Sequence, residues 1–303
     1  MKEMLTTKEV AEYLSINEKQ VYRLIKEKKI PATRITGKWL FPKNLIDEWV
    51  VASARESVNL SAQKSVPENQ VVIAGSNDLA LELLAKNTAV RHPRYTISIS
   101  NVGSLAGLIA LQNGNCHIAA SHLLDPETGE YNSSFIKKHF PNLKIVLLNV
   151  AHREQGLIVK KGNPLKIETV KDLAEKTLTF VNRQEGSGTR VLLDCRLKEL
   201  GIDAARIPGY AKSALTHMDV ALEVFSGAAD VGIGILAAAR MLDLDFVPLA
   251  TERFDLVIPT ESCETGAIKS LREVLSSPDF KSHIRNMGGY ETRDTGKIVY
   301  ERG

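Results

Sequence analysis

From Val71 onward, short apolar strands alternate with amphipathic helices, and that alternation constrains the chain more than any single motif. The strand-like runs are VVIAG, TISISNV, HIAAS, KIVLLNV, GLIVK, LTFVN and DVGIGI, and helical patterns begin near Asn77, Ser104, Thr189 and Met218. Strands that return after a helix pair in parallel. The pattern therefore predicts a mostly parallel α/β sheet, whose ligands sit at the carboxyl ends of its strands. Small polar residues occupy those ends at Gly75-Ser76-Asn77, Gly103-Ser104 and Ser121-His122. One such turn is ordinary strand-to-helix geometry; three in succession predict a cleft.

The first fifty residues follow another pattern. Thr6 or Thr7 can cap a helix with Glu9 in its first turn, running to about Leu14. Ser15-Ile16-Asn17 is a turn, and Asn17 can cap a second helix, Glu18–Lys28. Its inner face is Val21, Leu24 and Ile25, while Gln20, Tyr22, Arg23, Lys26 and Lys29 are more exposed. Two short helices joined in this way match a helix-turn-helix. Thr36-Gly37 is a good hairpin tip, and Pro42 can start a last helix through Trp49. Residues 54–69 (ARESVNLSAQKSVPEN) are polar, without an apolar period, and read as a linker.

Met4–Trp49 resembles the excisionase/MerR-like winged-helix family through TTKEVAEYL, VYRLIKEKKIPATRI and GKWLFPKNLIDEW, which stand in the family's order. The resemblance implies double-stranded DNA as a partner. Gln20, Tyr22, Arg23 and Lys26 would then face the major groove, and Arg34 and Lys38 of the wing would meet phosphates or the minor groove. A solvated basic helix face with Tyr22 partly packed is the plainer alternative, and Trp39 and Trp49 read as core. Charge agrees with a polyanion partner: residues 1–64 hold 12 basic and 8 acidic residues, whereas the rest hold 27 and 28.

With 303 residues, 44% of them hydrophobic and 25% charged, the chain suits one small and one medium domain with a sizeable core. No run of eighteen apolar residues occurs, so no membrane is expected, and the N-terminus shows no apolar signal region. Cys116, Cys195 and Cys263 are too widely spaced for paired ligands. They read as reduced, buried thiols of a cytoplasmic protein without a metal site.

The segment Phe180–Arg190 (FVNRQEGSGTR) carries the most chemistry. A strand feeds Arg183-Gln184-Glu185-Gly186-Ser187-Gly188-Thr189, which opens a helix. Free N–H groups and the helix dipole at such a start favour an anion. Gly186 and Gly188 allow close approach of the backbone, Ser187 and Thr189 add hydroxyl donors, and Arg183 adds a charged fork. Read alone, the segment is equally a glycine-containing turn with a Ser/Thr cap.

From about Val71 the chain resembles a type II periplasmic-binding-protein fold. The implied architecture is α/β: a small N-terminal winged helix-turn-helix over 1–53, a linker over 54–69, and a two-lobed ligand domain over 70–303. Crossings near Leu148–Val159 and Phe246–Ile258 would separate lobe one, 70–149 and 256–303, from lobe two, 160–245. R-x-x-G-S-G-T is similar to the sequence of phosphate- and tungstate-binding periplasmic proteins. That similarity implies that Ser76, Asn77, Ser104, Ser121, His122, Arg183, Ser187, Gly188 and Thr189 surround an oxyanion. Asn182-Arg183-Gln184, Leu192-Leu193-Asp194 and Asp230–Gly234 resemble more closely the module of molybdenum-cofactor proteins and stand-alone regulators, which points to molybdate, tungstate or a cofactor precursor.

His122 replaces the acidic residue that phosphate binders place after their third strand, where it accepts the proton of hydrogen phosphate. Loss of that acceptor predicts a preference for molybdate or tungstate over phosphate. His122 is otherwise a polar residue at a strand end, His217 is a cleft group or a helix-cap residue, and Asp194 and Glu199 are a solvated face. No nucleophile order or phosphate-binding GxxxxGK is present, so no enzyme is expected. These readings converge on a ligand-responsive DNA-binding regulator, a homodimer by default, that needs no cofactor beyond its oxyanion effector. A molybdenum-cofactor metabolism protein or an intracellular oxyanion store are the alternatives.

Overall fold

The computed structural model describes residues 4–14, 16–27, 29–35, 37–50, 69–125 and 127–302. Ser15, Lys28, Thr36 and all but the last residue of the linker lie outside them. The chain divides into two compact units, Met1–Val66 and Pro67–Gly303.

In the first unit, β1 (Met4–Thr6) leads into α1 (Thr7–Tyr13), followed by α2 (Glu18–Lys26), β2 (Thr33–Ile35), β3 (Lys38–Pro42) and a helix α3 over 43–50. Thr6 and Asn17 each close a reciprocal capping box, with Glu9 and Gln20 respectively. Such boxes satisfy two orphan N–H groups per helix start, at about 1 kcal/mol for the cap. β3 pairs with both β1 and β2, all antiparallel, so the wing is a three-stranded sheet rather than a lone hairpin. Pro42 ends β3 and α3 begins after it. Val10, Val21, Phe41 and Ile46 form the fully buried centre, with Trp39 and Trp49 packed partly buried against it.

The second unit begins with β4 (Gln70–Gly75), α4 (Leu79–Arg91), β5 (Thr96–Asn101), α5 (Ser104–Gln112), β6 (Ile118–Ser121), α6 (Ser133–His139) and β7 (Ile145–Val159). It continues through α7 (Asp172–Glu175), β8 (Phe180–Arg183), α8 (Gly188–Glu199), β9 (Ser213–Ala214), α9 (His217–Ser226), β10 (Val231–Ile235), α10 (Leu236–Met241) and β11 (Asp245–Pro259). α11 (Gly266–Ser276), α12 (Pro278–Met287), β12 (Tyr290–Glu291) and β13 (Ile298–Arg302) complete it.

One sheet carries all these strands in the order β5-β4-β6-β11-β7-β10-β8-β9, with β12 and β13 also on β7. Both flanks are parallel, as the strand–helix alternation predicts. The centre departs from that expectation, because β7 and β11 pair antiparallel along almost their whole lengths. KIVLLNV and GLIVK are therefore one strand. The polar run between them, residues 151–155, lies in the crossing expected near Leu148–Val159, and its members are paired: Arg153 faces Glu252 directly across the ladder, and Gln155 donates to Thr189. These two strands belong to both lobes, with β4, β5 and β6 on one side and β8, β9 and β10 on the other.

Cys116 is buried, whereas Cys195 and Cys263 are only half-buried, which corrects the expectation of three buried thiols. Among the described residues no His/Cys/Asp/Glu group could hold a metal ion, and no helix is long and apolar enough to cross a membrane.

Candidate functional site

On the first unit, Tyr22, Arg23 and Lys26 are exposed on α2, as are Arg34 and Lys38 on the wing. Gln20 is half-buried, and its Oε1 accepts from the backbone N–H of Asn17 at 3.1 Å. Arg34 donates to Gly37 O at 3.3 Å and lies over the Trp39 ring, so its guanidinium is held against its own hairpin.

On the second unit, the strand ends come together. β4 pairs in parallel with β5 and β6, which brings Ser76, Asn77, Ser104, Ser121 and His122 to one edge. Gly75 is essential to this arrangement. Its φ is +143°, and a Cβ there would lie 2.2 Å from Ala120 O. Across the cleft, Ser187 caps α8 by accepting from Arg190 N at 3.2 Å. Gly188 sits so close to the His122 ring that a Cβ would lie 2.6 Å from it. The lobes are in contact at further points: Leu105 N donates to Gly186 O at 3.4 Å, and His217 N to Asn77 Oδ1 at 3.3 Å.

The cationic centre is Arg183, at the end of β8. It is fully buried and has no ion pair among the described residues. Its Nε donates to Gln184 Oε1 and Ala214 O and its Nη2 to Leu215 O, while Nη1 has no partner among the described residues. Burial first, and then the charge of Arg153, push its pKa down to about 9. A guanidinium held against both effects is a strong place for an anion. Both ring nitrogens of His217 are likewise buried without partners among the described residues, as are Arg153 Nη2, Gln155 Oε1 and Ser121 Oγ. Buried polar atoms are normally satisfied, so this cluster of exceptions marks a place built for something polar.

Asp78, Arg153, Gln155, Glu252 and Tyr290 escaped the sequence reading, and they join Ser76, His122 and Thr189. His122 Nε2 lies 2.7 Å from Ser76 Oγ, and its Nδ1 lies 2.7 Å from Glu252 Oε2. Arg153 bonds Glu252 and Asp78, Tyr290 donates to Asp78, and Gln155 donates to Thr189 Oγ1 at 2.9 Å. Burial alone would raise the Glu252 pKa, but Arg153 and His122 hold it below the usual carboxylate range. Burial lowers that of His122 despite Glu252. The view of His122 as a position without an acidic acceptor is thus corrected: the carboxylate comes from β11 and stands behind the ring. The one visible signal is the placing of Arg153 and Glu252 within stretches that must cross between lobes. Asp194 is not merely solvated, since it accepts from Tyr210 and pairs with Arg190 at 3.3 Å.

Known proteins agree with this architecture. A family model described as a helix-turn-helix domain matches residues 4–51, and one described as a PBP superfamily domain matches residues 85–276. The chain is 36% identical to the uncharacterized protein YvgK of Bacillus subtilis (strain 168), over 98% of its own length and 97% of that protein's. A Clostridium pasteurianum protein, described as uncharacterized and encoded in the 5′ region of a 2Fe-2S ferredoxin gene, is 38% identical over 37% of this chain and 99% of its own. Among solved structures, a putative phosphate ABC transporter substrate-binding protein with bound phosphate from Clostridium perfringens has a TM-score of 0.54 at 18% identity, covering 73% of this chain and 98% of its own. The tungstate ABC transporter of Geobacter sulfurreducens has a TM-score of 0.52 at 14% identity, covering 72% and 99%. At such identities these likenesses show the fold. The chain belongs to the PBP superfamily domain family, with a helix-turn-helix domain ahead of the binding fold.

Proposed function

We propose that the protein is a cytoplasmic transcription regulator, acting as a homodimer, whose second unit closes on a small oxyanion and thereby changes the affinity of the first for DNA. The observation that carries the oxyanion is Arg183: a buried guanidinium without a carboxylate among the described residues, with Nη1 unsatisfied, beside the start of α8. Ser104, Ser187 and Thr189 support it. Each hydroxyl accepts a hydrogen bond from within the protein and keeps its proton to donate. Donors aimed at one place suit the oxygens of a tetrahedral anion. Molybdate or tungstate comes first on sequence resemblance, and the tungstate and phosphate proteins of like fold support the class.

No chemistry on the ligand is needed for this role. An effector shifts a DNA-competent population only as far as it prefers one arrangement of the lobes. Retardation of the protein's own upstream DNA, with and without molybdate, tungstate, sulfate or phosphate, tests the reading. At least one anion should change the midpoint severalfold, and a retardation curve indifferent to all four would remove the oxyanion as effector.

A further inference from the structure

Ser76 differs from the other cleft hydroxyls. Ser104 Oγ accepts from His122 N, Ser187 Oγ from Arg190 N and Thr189 Oγ1 from the Gln155 amide, so all three face a ligand as donors. Ser76 Oγ instead meets a ring nitrogen, His122 Nε2, whose partner nitrogen meets the Glu252 carboxylate. An ionised carboxylate only accepts, so His122 Nδ1 carries a hydrogen. With the ring neutral, Nε2 is a lone pair, the Ser76 hydroxyl donates to it, and Ser76 Oγ offers a ligand only lone pairs. With the ring charged, Nε2–H donates to Ser76 Oγ, and the hydroxyl proton turns toward the ligand. The state of His122 therefore sets whether Ser76 accepts or donates.

Charge balance decides which state accompanies an anion. The groups around His122 are Glu252 and Phe254 of β11, Arg153 and Gln155 of β7, Ser76 after β4 and Ser104 of α5, with Asp78 one step further out on Arg153. Arg183 of β8, Gly188 of α8 and His217 of α9 complete the set. Summed over the cluster, the two guanidinium charges equal the two carboxylates Asp78 and Glu252, although only Arg153 pairs with them. A dianion placed among them would leave two buried negative charges unbalanced, which is costly in a poorly solvated site, and a proton on His122 halves the imbalance.

We propose that the cleft binds its anion together with one proton, and that the Ser76–His122–Glu252 relay accounts for that proton. A fully ionised dianion (molybdate, tungstate or sulfate) draws the proton from solvent onto His122 Nε2 and receives a hydrogen bond from Ser76. Monohydrogen phosphate is also a dianion but carries a proton of its own; donating it to Ser76 Oγ requires a neutral His122, so this anion keeps the hydrogen bond and forgoes the charge relief. Discrimination between these anions then follows from where the proton comes from, and phosphate is not excluded by a missing acceptor. The proposal rests on the oxyanion reading above.

Linkage gives the sign. Dianion binding raises the proton affinity of His122, so the affinity is present at low pH and is lost as pH rises through the pKa of the bound state, by about tenfold per unit for one proton. Titration calorimetry of the full chain near pH 8, in two buffers of different ionisation enthalpy, counts the protons directly. Close to one proton should be taken up per sulfate or molybdate, and close to none per phosphate. Ser76→Ala and His122→Asn should each bring the sulfate value toward zero. Sulfate or molybdate binding without proton uptake in the wild type overturns the proposal and leaves the oxyanion reading intact. Uptake that survives in both variants assigns the proton elsewhere, to His217 above all, and also overturns it. Heat from none of the anions removes the oxyanion reading and the proposal together.

Discussion

In the first unit Arg23 and Lys26 stand in solvent on α2, whereas in the second Arg153 and Arg183 are fully buried. The two pairs place opposite demands on their surroundings. Exposed cations need no partner, because water screens them, and they act on a polyanion as a sum. Buried cations must each be answered. Arg153 is answered twice, by Glu252 and Asp78, and burial's tendency to lower its pKa is more than offset by them. Arg183 is answered by carbonyls and an amide oxygen alone among the described residues. What the contrast teaches is that the unmatched charge, and not the abundance of charge, marks the ligand site.

The largest expected effect breaks that contrast at its centre. Arg183→Met removes the charge but keeps much of the side chain's apolar bulk. Losing one partner of a buried, hydrogen-bonded charge pair costs about 2–5 kcal/mol, which corresponds to at least about a thirtyfold weakening of the anion. Calorimetry on the full chain measures it. Anion affinity that stays within threefold of wild type would move the ligand away from Arg183.

A smaller effect belongs to the exposed pair. Arg23→Ala with Lys26→Ala should weaken operator DNA by about tenfold at moderate salt. It should also lower the log–log salt slope by about 1.8, at about 0.9 for each phosphate that the protein no longer neutralises. A slope equal to that of wild type would show that α2 does not touch the DNA backbone through these residues, and the wing cations Arg34 and Lys38 would take their place.

Legibility differs between the units for the same physical reason. The first is built from local signals: caps three residues from their partners, a helical apolar period and a turn glycine, Gly37, at φ +83°. The strand β1 escapes, because a three-residue strand is defined by its partner β3 and not by its own residues. In the second unit the strand ends and the GSGT loop are visible because each is a local turn. The relay is not, since Ser76 and His122 are 46 residues apart and His122 and Glu252 are 130 apart. Arg153 and Glu252 read as ordinary polar residues of a crossing until β7 and β11 set them side by side. Sequence shows where the chain turns toward a site; which side chains neutralise one another there is a property of the sheet order.

Gln20 sits on the boundary between the two ways of using a side chain, and the smallest expected effect sharpens it. The sequence pattern turns it toward the major groove, yet its Oε1 holds the Asn17 N–H, and the residue is half-buried. Glutamate at the same position satisfies the same N–H and places a negative charge in the first turn of α2, where the helix dipole favours it. Gln20→Glu should therefore leave the melting temperature of the full chain unchanged or raise it slightly, by no more than about 0.5 kcal/mol of stability. If Gln20 serves only the cap, DNA affinity should fall by a small, sequence-independent factor from the added negative charge, and the preference among operator variants should stay as it was. If its amide also reads an adenine edge through Nε2, the preference at one base position should relax by about 1 kcal/mol or more. Affinity measured on a panel of single-base operator variants separates the two. An altered preference at one position would return Gln20 to the reading surface that its capping role otherwise argues against.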